Sequence, residues 1–370
     1  MVELFLSIFT WLVPSEKIKE GIKDMVAQKK VNTKKLKENI RKLNLGITNE
    51  DSLNNEVSIR KRSTVFFPVV PRRNLSIIHL VFANAIRGLS ALGLNVKIFV
   101  FDDYYRRVKS CTENVCKEDI KNFISEFTDR GVKRNNIVLE SDLLSKPIEA
   151  QKLLFRIREL GSKKTINEIN ELRKQTSAFT KDGDAYIRQE KIFYNLAYIS
   201  MFDNIGFVLC GADEIPMWDA FINLEKSAQG GKTELSQLVI LSIPKMKNSN
   251  GDDTSIWDEG NLCTDKDIQT IKDKIKENLP KALRRKDCGV FYLLANLFFA
   301  QGEQYQFVVP EGDGSDDNTI LIKSIDKLIS KIGAQYNEET KEINDRIVDD
   351  LATCIYNIMH EQKKEEKQNG

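Results

Sequence analysis

Short apolar runs alternate with longer amphipathic segments between residues 63 and 243, and this alternation constrains the fold more than any other feature of the sequence. The runs are rich in β-branched and aromatic residues, which predicts buried strands; they read STVFFPVV, NVKIFVFDD and SQLVILSIPKM. The segments between them space their apolar residues as helices do, and Gly93 ends the first of these helices. Strands that alternate with helices predict a doubly wound parallel α/β sheet, whose ligands bind at the carboxyl ends of the strands.

The 370 residues divide into three predicted parts. These are an N-terminal helical extension over residues 1–62, the α/β domain over residues 63–262 and a C-terminal helical domain over residues 263–370. Within the extension, Thr33 is a predicted helix cap. The apolar face of that helix consists of Leu36, Ile40 and Leu43, and ITNEDSLNNEVSIRKRS follows as a linker or weak helix. In the C-terminal part, NTILIKSIDKLISKIGA is predicted to be helical.

The net charge of +2 gives the chain no strong overall attraction to nucleic acid, so phosphate contact depends on local patches. One basic patch lies in the extension. It consists of Lys29, Lys30, Lys34, Lys35, Lys37, Arg41 and Lys42. A charge run of this kind forms either a solvated helix face or an arm that contacts phosphates.

The first thirteen residues, MVELFLSIFTWLV, are almost entirely apolar. They are too few for a membrane span, which needs about twenty residues, and they lack the basic start and cleavage site of a signal peptide. We expect a helix that docks on the body of the protein, with a partner-binding or dimer-forming helix as the alternative. Six scattered cysteines without a secretory signal predict reduced thiols and a cytoplasmic protein. The pair Cys111 and Cys116 lacks further metal ligands nearby, so we predict no metal site.

Three polar stretches fall at predicted strand ends, and they read RRNLSIIH, CGADE and PKMKNSNGDD in chain order. Together with the order of the C-terminal segments, they resemble a class I aminoacyl-tRNA synthetase of the tyrosyl/tryptophanyl type. The resemblance covers the chain from about Ser63 to the end and leaves the extension outside. It implies a Rossmann-like (HUP) sheet, ATP with Mg²⁺ as cofactor, tRNA as a partner and a homodimer. The basic arm of the extension is the part of the chain that we expect to contact tRNA.

The first stretch resembles the family's HIGH motif, and its four positions read Ser76-Ile77-Ile78-His79. The resemblance implies that Ser76 and His79 contact the ATP phosphates, beside the amides of the helix N-terminus. The motif's glycine is replaced by Ile78, whose branched side chain would project where adenine lies.

The other two stretches resemble the KMSKS loop and the family's GxDQ-like turn. In the loop, the resemblance assigns Lys245, Lys247 and Ser249 to the nucleotide, while Asn248 replaces the loop's second lysine. In the turn, it assigns Asp213 to the ribose, and Glu214 replaces a neutral amide.

The implied amino-acid pocket departs furthest from the family pattern. Tyr194 matches the start of the pocket helix, but Tyr198 replaces a glutamine, Met201 replaces an aspartate and Phe66 replaces a tyrosine. With Glu214, these residues would line the pocket. Synthetases select through buried polar groups that the right substrate must pair, so these residues argue against a tyrosyl enzyme.

Three hypotheses follow, and none assigns a catalytic residue. Loss of one transition-state donor typically costs about 10²–10³ in rate, which favours a catalytically degenerate protein that binds tRNA, a nucleotide or a protein. The alternative is an active divergent synthetase or an aminoacyl transferase. Cyclodipeptide synthases, which resemble this fold, use a serine nucleophile, but Ser76 follows no strand-end glycine and has no base beyond His79. The third hypothesis is a structural subunit that docks through LFLSIFTWLV.

Overall fold

The structure is a computed structural model. It describes residues 33–54, 63–108, 112–162, 198–199, 201–202, 204–228, 237–247, 266–282, 289–299, 305–309, 318–337 and 342–360. The helices are α1 Thr33–Lys42, α2 Ile77–Ala91, α3 Asp102–Val108, α4 Glu113–Thr128, α5 Glu140–Leu144, α6 Pro147–Ser162, α7 Ile215–Ala228, α8 Ile268–Ala282, α9 Gly289–Leu293, α10 Ile325–Gly333 and α11 Asp345–His360. The strands are β1 Gly46–Thr48, β2 Thr64–Val69, β3 Asn95–Val100, β4 Ile137–Leu139, β5 Ile205–Gly211, β6 Val239–Ile243, β7 Tyr305–Val309, β8 Asn318–Ile322, β9 Tyr336–Asn337 and β10 Glu342–Ile343. Short 3₁₀ turns cover Glu50–Asn54, Arg134–Asn136 and Ala212–Glu214, and a π turn covers Leu294–Phe298.

The main sheet has the order β1-β6-β5-β2-β3-β4. The pairings among β2 to β6 are all parallel, which confirms the predicted doubly wound sheet. Because β2 is central and the chain winds outward from it in both directions, the strand order reverses between β2 and β5. Ligands of such sheets bind in the crevice at that reversal, beyond the carboxyl ends of the strands.

Successive residues of the central strands serve two separate hydrophobic cores, as the pleat of a sheet requires. Val65 and Phe67 of β2 belong to a core that also contains the apolar residues of α2 and of the C-terminal helices. Phe66, between them, belongs to a second core with Tyr198 and Trp218. The three strands predicted from apolar runs are therefore buried on both faces, which explains why they read as continuous rather than alternating apolar sequence.

The N-terminal extension packs tightly against the body over its described residues. Leu36 and Ile40 of α1 are buried and Leu43 packs against the same core, which confirms the predicted apolar face. Gly88 of α2 leaves room for this contact, because a Cβ atom there would collide with the Leu43 side chain. The stretch that follows this helix was expected to be a linker or a weak helix. Its first two residues instead belong to β1 Gly46–Thr48, which pairs antiparallel with β6, since the exposed sheet edge offers it hydrogen-bond partners. Glu50–Asn54 then forms a short 3₁₀ turn.

The C-terminal part is not purely helical. The NTILI segment, predicted as helix, is strand β8 and pairs antiparallel with β7, because its β-branched residues suit a paired strand better than a helix. Helices α8 and α11 are joined by ion pairs of Lys272 with Asp349 and of Lys276 with Asp345. Buried Arg130, just after α4, donates a hydrogen bond to the backbone oxygen of Met359 and ties the α/β domain to the end of α11.

No helix among the described residues is long and apolar enough to cross a membrane.

The cysteines differ from the prediction at one position. Cys116 forms a disulfide bond, so the prediction of reduced thiols is wrong there. Disulfide pairing depends on which two sulfur atoms the fold brings together, and composition carries no information about that. Cys210 and Cys354 are free thiols.

Candidate functional site

The N-terminus of α2 lies beyond the carboxyl end of β2, at the predicted nucleotide site. Ser76 is the N-cap of the helix, and His79 is its third residue. The Nδ1 atom of His79 accepts a hydrogen bond from the Ser76 backbone N–H at 3.2 Å and lies 2.8 Å from the Ser76 Oγ. This is the geometry of a capping box in which histidine takes the place of the usual Glu or Gln.

His79 has no exposed surface at all. Its ring meets the rings of Phe123 and Phe127 of α4 edge-on, at centroid distances of 5.7 and 6.5 Å. Burial and the nearby Arg72 charge lower the pKa of His79 from 6.5 to about 3, so the ring is neutral at physiological pH. With Nδ1 accepting, the proton lies on Nε2, which is buried and makes no hydrogen bond. In this conformation His79 supports the helix start and presents no surface to a phosphate; its predicted contact with the nucleotide stays a prediction.

The other residues of the stretch Ser76–His79 are also buried. Ser76 is fully buried, and Ile78 is only 7% exposed and belongs to the core that includes α2. The same core contains Met246, from the stretch after β6. Ser76, Ile78 and His79 are thus all buried, and the positive charge near His79 is that of Arg72. Three buried residues at the helix start fit contact with a nucleotide phosphate poorly.

The predicted side pocket is filled by its own residues. Phe66 and Tyr198 have 0% exposure, and Met201 packs against the same core. The ring of Phe99 lies between them, 5.8 Å from the ring of Phe66 and 4.4 Å from that of Tyr198. Phe202 closes the group, 5.5 Å from Phe66. The structure thus brings the predicted residues together, but as a packed aromatic cluster.

One buried carboxylate, Glu140, terminates this aromatic cluster. Its Oε1 accepts a hydrogen bond from the Tyr198 hydroxyl at 2.9 Å, and its Oε2 accepts one from the backbone N–H of Tyr104 at 2.9 Å. Burial raises the pKa of Glu140, and these two hydrogen bonds act in the opposite direction. Both oxygens of the carboxylate are therefore used by the protein itself.

Two further buried carboxylates lie after β3 and in α4. Asp102 accepts hydrogen bonds from the backbone and hydroxyl of Ser141 and from Arg106. Asp119 accepts one from the Tyr105 hydroxyl at 2.7 Å. Sequence reasoning missed these residues and Glu140. The signal that could have found Glu140 and Asp102 is their position at the carboxyl ends of the short apolar runs that form β4 and β3.

The GADE turn follows β5 as predicted. The side chain of Glu214 accepts a hydrogen bond from the Gly211 backbone N–H at 3.2 Å, so it caps the turn. Asp213 packs so closely on Gly211 that a Cβ atom there would collide with its carboxylate. Burial is the main cause that raises the pKa of the Cys210 thiol, and Glu214, Asp213 and Asp219 add to it. The turn is thus an acidic rim at the carboxyl end of β5.

The segment Pro244–Lys247 follows β6 and lies beside that rim, because Gly211 pairs with Ile243 across the two strands. The Tyr292 hydroxyl donates to the Pro244 backbone oxygen at 2.8 Å. Burial raises the pKa of Tyr292, and the charge of Asp213 adds to the rise. Lys245 is exposed and Lys247 is half-buried. Asp213, Lys245 and Lys247 therefore lie at the carboxyl ends of two neighbouring strands. Their contact with a nucleotide stays a prediction.

Several predicted positions fall outside the described residues, namely Tyr194, Asn248, Ser249 and Cys111. In the parts of the chain that the structure describes, no group of three His, Cys, Asp or Glu side chains could hold a metal ion. The residues predicted to bind ATP differ in how well they fit it. Asp213 in the acidic turn suits a ribose, and Lys245 and Lys247 suit phosphates, whereas the start of α2 suits neither.

Comparison with known proteins supports the topology. No protein-family model and no curated protein matches the sequence. The tyrosyl-tRNA synthetase of Pyrococcus horikoshii, solved with L-tyrosine, superposes with a TM-score of 0.67 and 12% identity, over 90% of this chain and 96% of that chain. That of Archaeoglobus fulgidus, also with L-tyrosine, gives 0.63 and 13%, over 90% and 99%. The chain has the fold of a class I tyrosyl- or tryptophanyl-tRNA synthetase. Plasmodium falciparum tryptophanyl-tRNA synthetase matches it less closely, with a TM-score of 0.56 and 14% identity over 87% of this chain and 82% of that chain.

The superpositions on the two tyrosyl-tRNA synthetases cover 90% of this chain and at least 96% of each of the other chains. The likeness therefore includes C-terminal segments. The recognition made from three motifs in order is confirmed at the level of the fold. With identities of 12–14%, the likeness shows the fold alone.

Proposed function

We propose that this chain is a synthetase-fold protein that no longer adenylates an amino acid and acts by binding. The observation that carries the proposal is the closed pocket: Tyr198 and Phe66 are fully buried, and the Tyr198 hydroxyl is already paired with Glu140. A substrate amino acid would have to displace these side chains. The neutral, buried His79 adds to this, because it offers no positive charge to a phosphate.

The test of lost adenylation is ATP–pyrophosphate exchange with each of the twenty amino acids. We expect no exchange above the blank for any of them. Exchange with any amino acid would overturn the proposal. ATP binding measured alongside separates a protein without a nucleotide site from one that binds ATP but cannot use it.

An active divergent synthetase or transferase is the second candidate, and one observation favours it. Asp213, Lys245 and Lys247 remain together at the edge of β5 and β6, where they could hold a ribose and phosphates with Mg²⁺. Calorimetry with Mg·ATP tests this remnant directly. We expect weak binding that is reduced further in the variant Lys245→Gln/Lys247→Gln.

We propose unfractionated tRNA as a ligand of the basic arm. Lys34, Lys35 and Lys42 are exposed on α1. Lys37 and Arg41, on the same helix, pair with Glu50. Binding should weaken with salt, and Lys34→Gln/Lys35→Gln/Lys42→Gln should lower the salt slope by about 2–3. The matched control replaces Lys272 and Lys276, which are paired on α8. An unchanged slope in the arm variant would contradict the assignment.

We propose that a second copy of the chain docks on α6. Three exposed apolar side chains lie on this helix: Ile148 at 68%, Leu154 at 55% and Phe155 at 60%. A two-fold antiparallel pairing of α6 with its copy brings the Glu149 end of one helix toward the Arg158 end of the other and places Leu154 and Phe155 near the axis.

The cytoplasmic location and a protein partner for the apolar N-terminal segment also belong to this proposal. They rest on the sequence pattern, and residues 1–13 lie outside the described part of the chain. The disulfide at Cys116 counts against a reducing compartment. Counting thiols with and without a reductant, in protein kept at the redox poise of the cytoplasm, decides whether that bond persists there.

A further inference from the structure

A row of hydrogen bonds connects the N-terminal extension to the segment Pro244–Lys247. Asn44, just after α1, donates from its Nδ2 atom to Oδ1 of Asn296. Asn296 is buried and donates from its own Nδ2 atom to the backbone oxygen of Tyr292 at 2.8 Å. The Tyr292 hydroxyl then donates to the backbone oxygen of Pro244 at 2.8 Å. Three parts of the chain that are far apart in sequence thus meet in one path.

The other end of the same segment is held by the same helix. The backbone N–H of Gly289, the first residue of α9, donates to the backbone oxygen of Lys247 at 3.3 Å. Between the two held ends, the side chain of Met246 is 3% exposed and lies in the core. Lys245 and Lys247 therefore project from a backbone that is fixed on both sides.

Asn296 lies in the π turn that continues α9, and such turns are frequent at functional sites. A buried amide is stable only while its donors and acceptor are paired, and removing one partner leaves the other unsatisfied. Asn44 supplies that partner with φ at +58°, a conformation that glycine adopts without strain. The chain thus keeps an asparagine where backbone geometry alone would accept glycine.

We propose that Asn44, Asn296 and Tyr292 are positioning residues, through which the N-terminal extension holds Lys245 and Lys247 in place for an anionic ligand such as a triphosphate or an RNA backbone. This inference rests on the proposed function only for the nature of the ligand. The fixing of the segment can be measured without any ligand, so the two fail separately.

The experiment is amide hydrogen exchange of the full-length protein, followed in the peptide that contains residues 244–247. Asn44→Gly removes the amide and keeps the backbone conformation. Asn49→Gly is the matched control, because Asn49 also lies in the extension and has φ at +61°. Its side chain donates instead to the backbone oxygen of Leu238, just before the first residue of β6. Tyr292→Phe removes only the hydroxyl that holds Pro244.

We expect exchange in this peptide to be about tenfold faster in Asn44→Gly and in Tyr292→Phe, the factor that corresponds to about 1.4 kcal/mol. Asn49→Gly should leave it unchanged. Equal acceleration by Asn44→Gly and Asn49→Gly would mean general loosening and would overturn the proposal. So would unchanged exchange in both Asn44→Gly and Tyr292→Phe. Should Asn44→Gly fail to fold, Tyr292→Phe alone decides.

Discussion

The Tyr198 hydroxyl donates a hydrogen bond to Oε1 of Glu140 at 2.9 Å, and both side chains are buried. A buried carboxylate at the end of an aromatic cluster could bind the phenol of an aromatic ligand. Here the phenol that it binds belongs to the protein's own Tyr198. The predicted side pocket is thus filled by a satisfied internal pair, and opening it would cost the stability that this pair contributes.

Tyr198→Phe should lower the free energy of unfolding by about 1–3 kcal/mol at neutral pH, because it leaves a buried acceptor unpaired. The lost hydrogen bond lowers the pKa of Glu140, so its removal raises that pKa further. The destabilisation should therefore shrink as the pH falls and Glu140 becomes protonated. Chemical denaturation between pH 5 and pH 8 measures this. With Glu140→Gln as background, a pH dependence of the Tyr198→Phe effect as large as in wild type would contradict the assignment.

His79 should make the protein less stable as the pH falls. Its pKa is about 3 in the folded state and about 6.5 when unfolded, so the unfolded chain binds the extra proton first. The stabilisation is complete above about pH 6.5 and is lost on acidification toward pH 3, at up to about 1.4 kcal/mol per pH unit. His79→Gln keeps a side chain that can accept from Ser76 but cannot titrate. Its melting temperature should fall less steeply over this range than that of wild type; parallel curves would show that His79 is not buried as a neutral ring.

Gly88→Ala should destabilise the protein although alanine is the better helix former by about 1 kcal/mol. The added methyl group meets Leu43, and overpacking of this kind costs about 1–3 kcal/mol. We expect a net loss of about 1 kcal/mol by denaturant titration. The double variant with Leu43→Ala should show no further cost from the Gly88 change. If Gly88→Ala stabilises the wild-type chain, α1 does not pack on α2 as described.

Phe155→Glu should convert a dimer to a monomer, because it places two carboxylates near the two-fold axis of the α6 pairing. Light scattering after gel filtration, at several protein concentrations, reports the mass. Leu321→Glu is the control, since Leu321 is an apolar residue that is 50% exposed on β8, a different element from α6. A mass that does not differ between wild type and Phe155→Glu would remove α6 as the interface.

The sheet and its helices could be predicted from sequence because they depend on local patterns. The apolar run of β2, the helix start at Ser76 and the turn at Gly93, where φ is +83°, are each encoded by neighbouring residues. Strand β1 was missed, because its three residues acquire partners only by pairing with β6 nearly two hundred positions later.

The site was only partly predictable for the same reason. That Asp213 and Lys245 would meet at one edge followed from the parallel order of the strands. The burial of His79 could not be predicted, because it depends on Phe123 and Phe127 of α4, which lie outside the motif. The position of Tyr198 in the predicted pocket could not be predicted either, because it depends on Glu140, which belongs to no recognised motif.

The most direct test of the closed pocket is calorimetric titration of the wild-type protein with L-tyrosine and with L-tryptophan, each with and without Mg·ATP. We predict no heat of binding for either amino acid up to millimolar concentration. In Tyr198→Ala, which opens the cluster and frees Glu140, weak binding of tyrosine should appear. Saturable binding of either amino acid to the wild-type protein would contradict the account, because it would show that the pocket still takes a substrate.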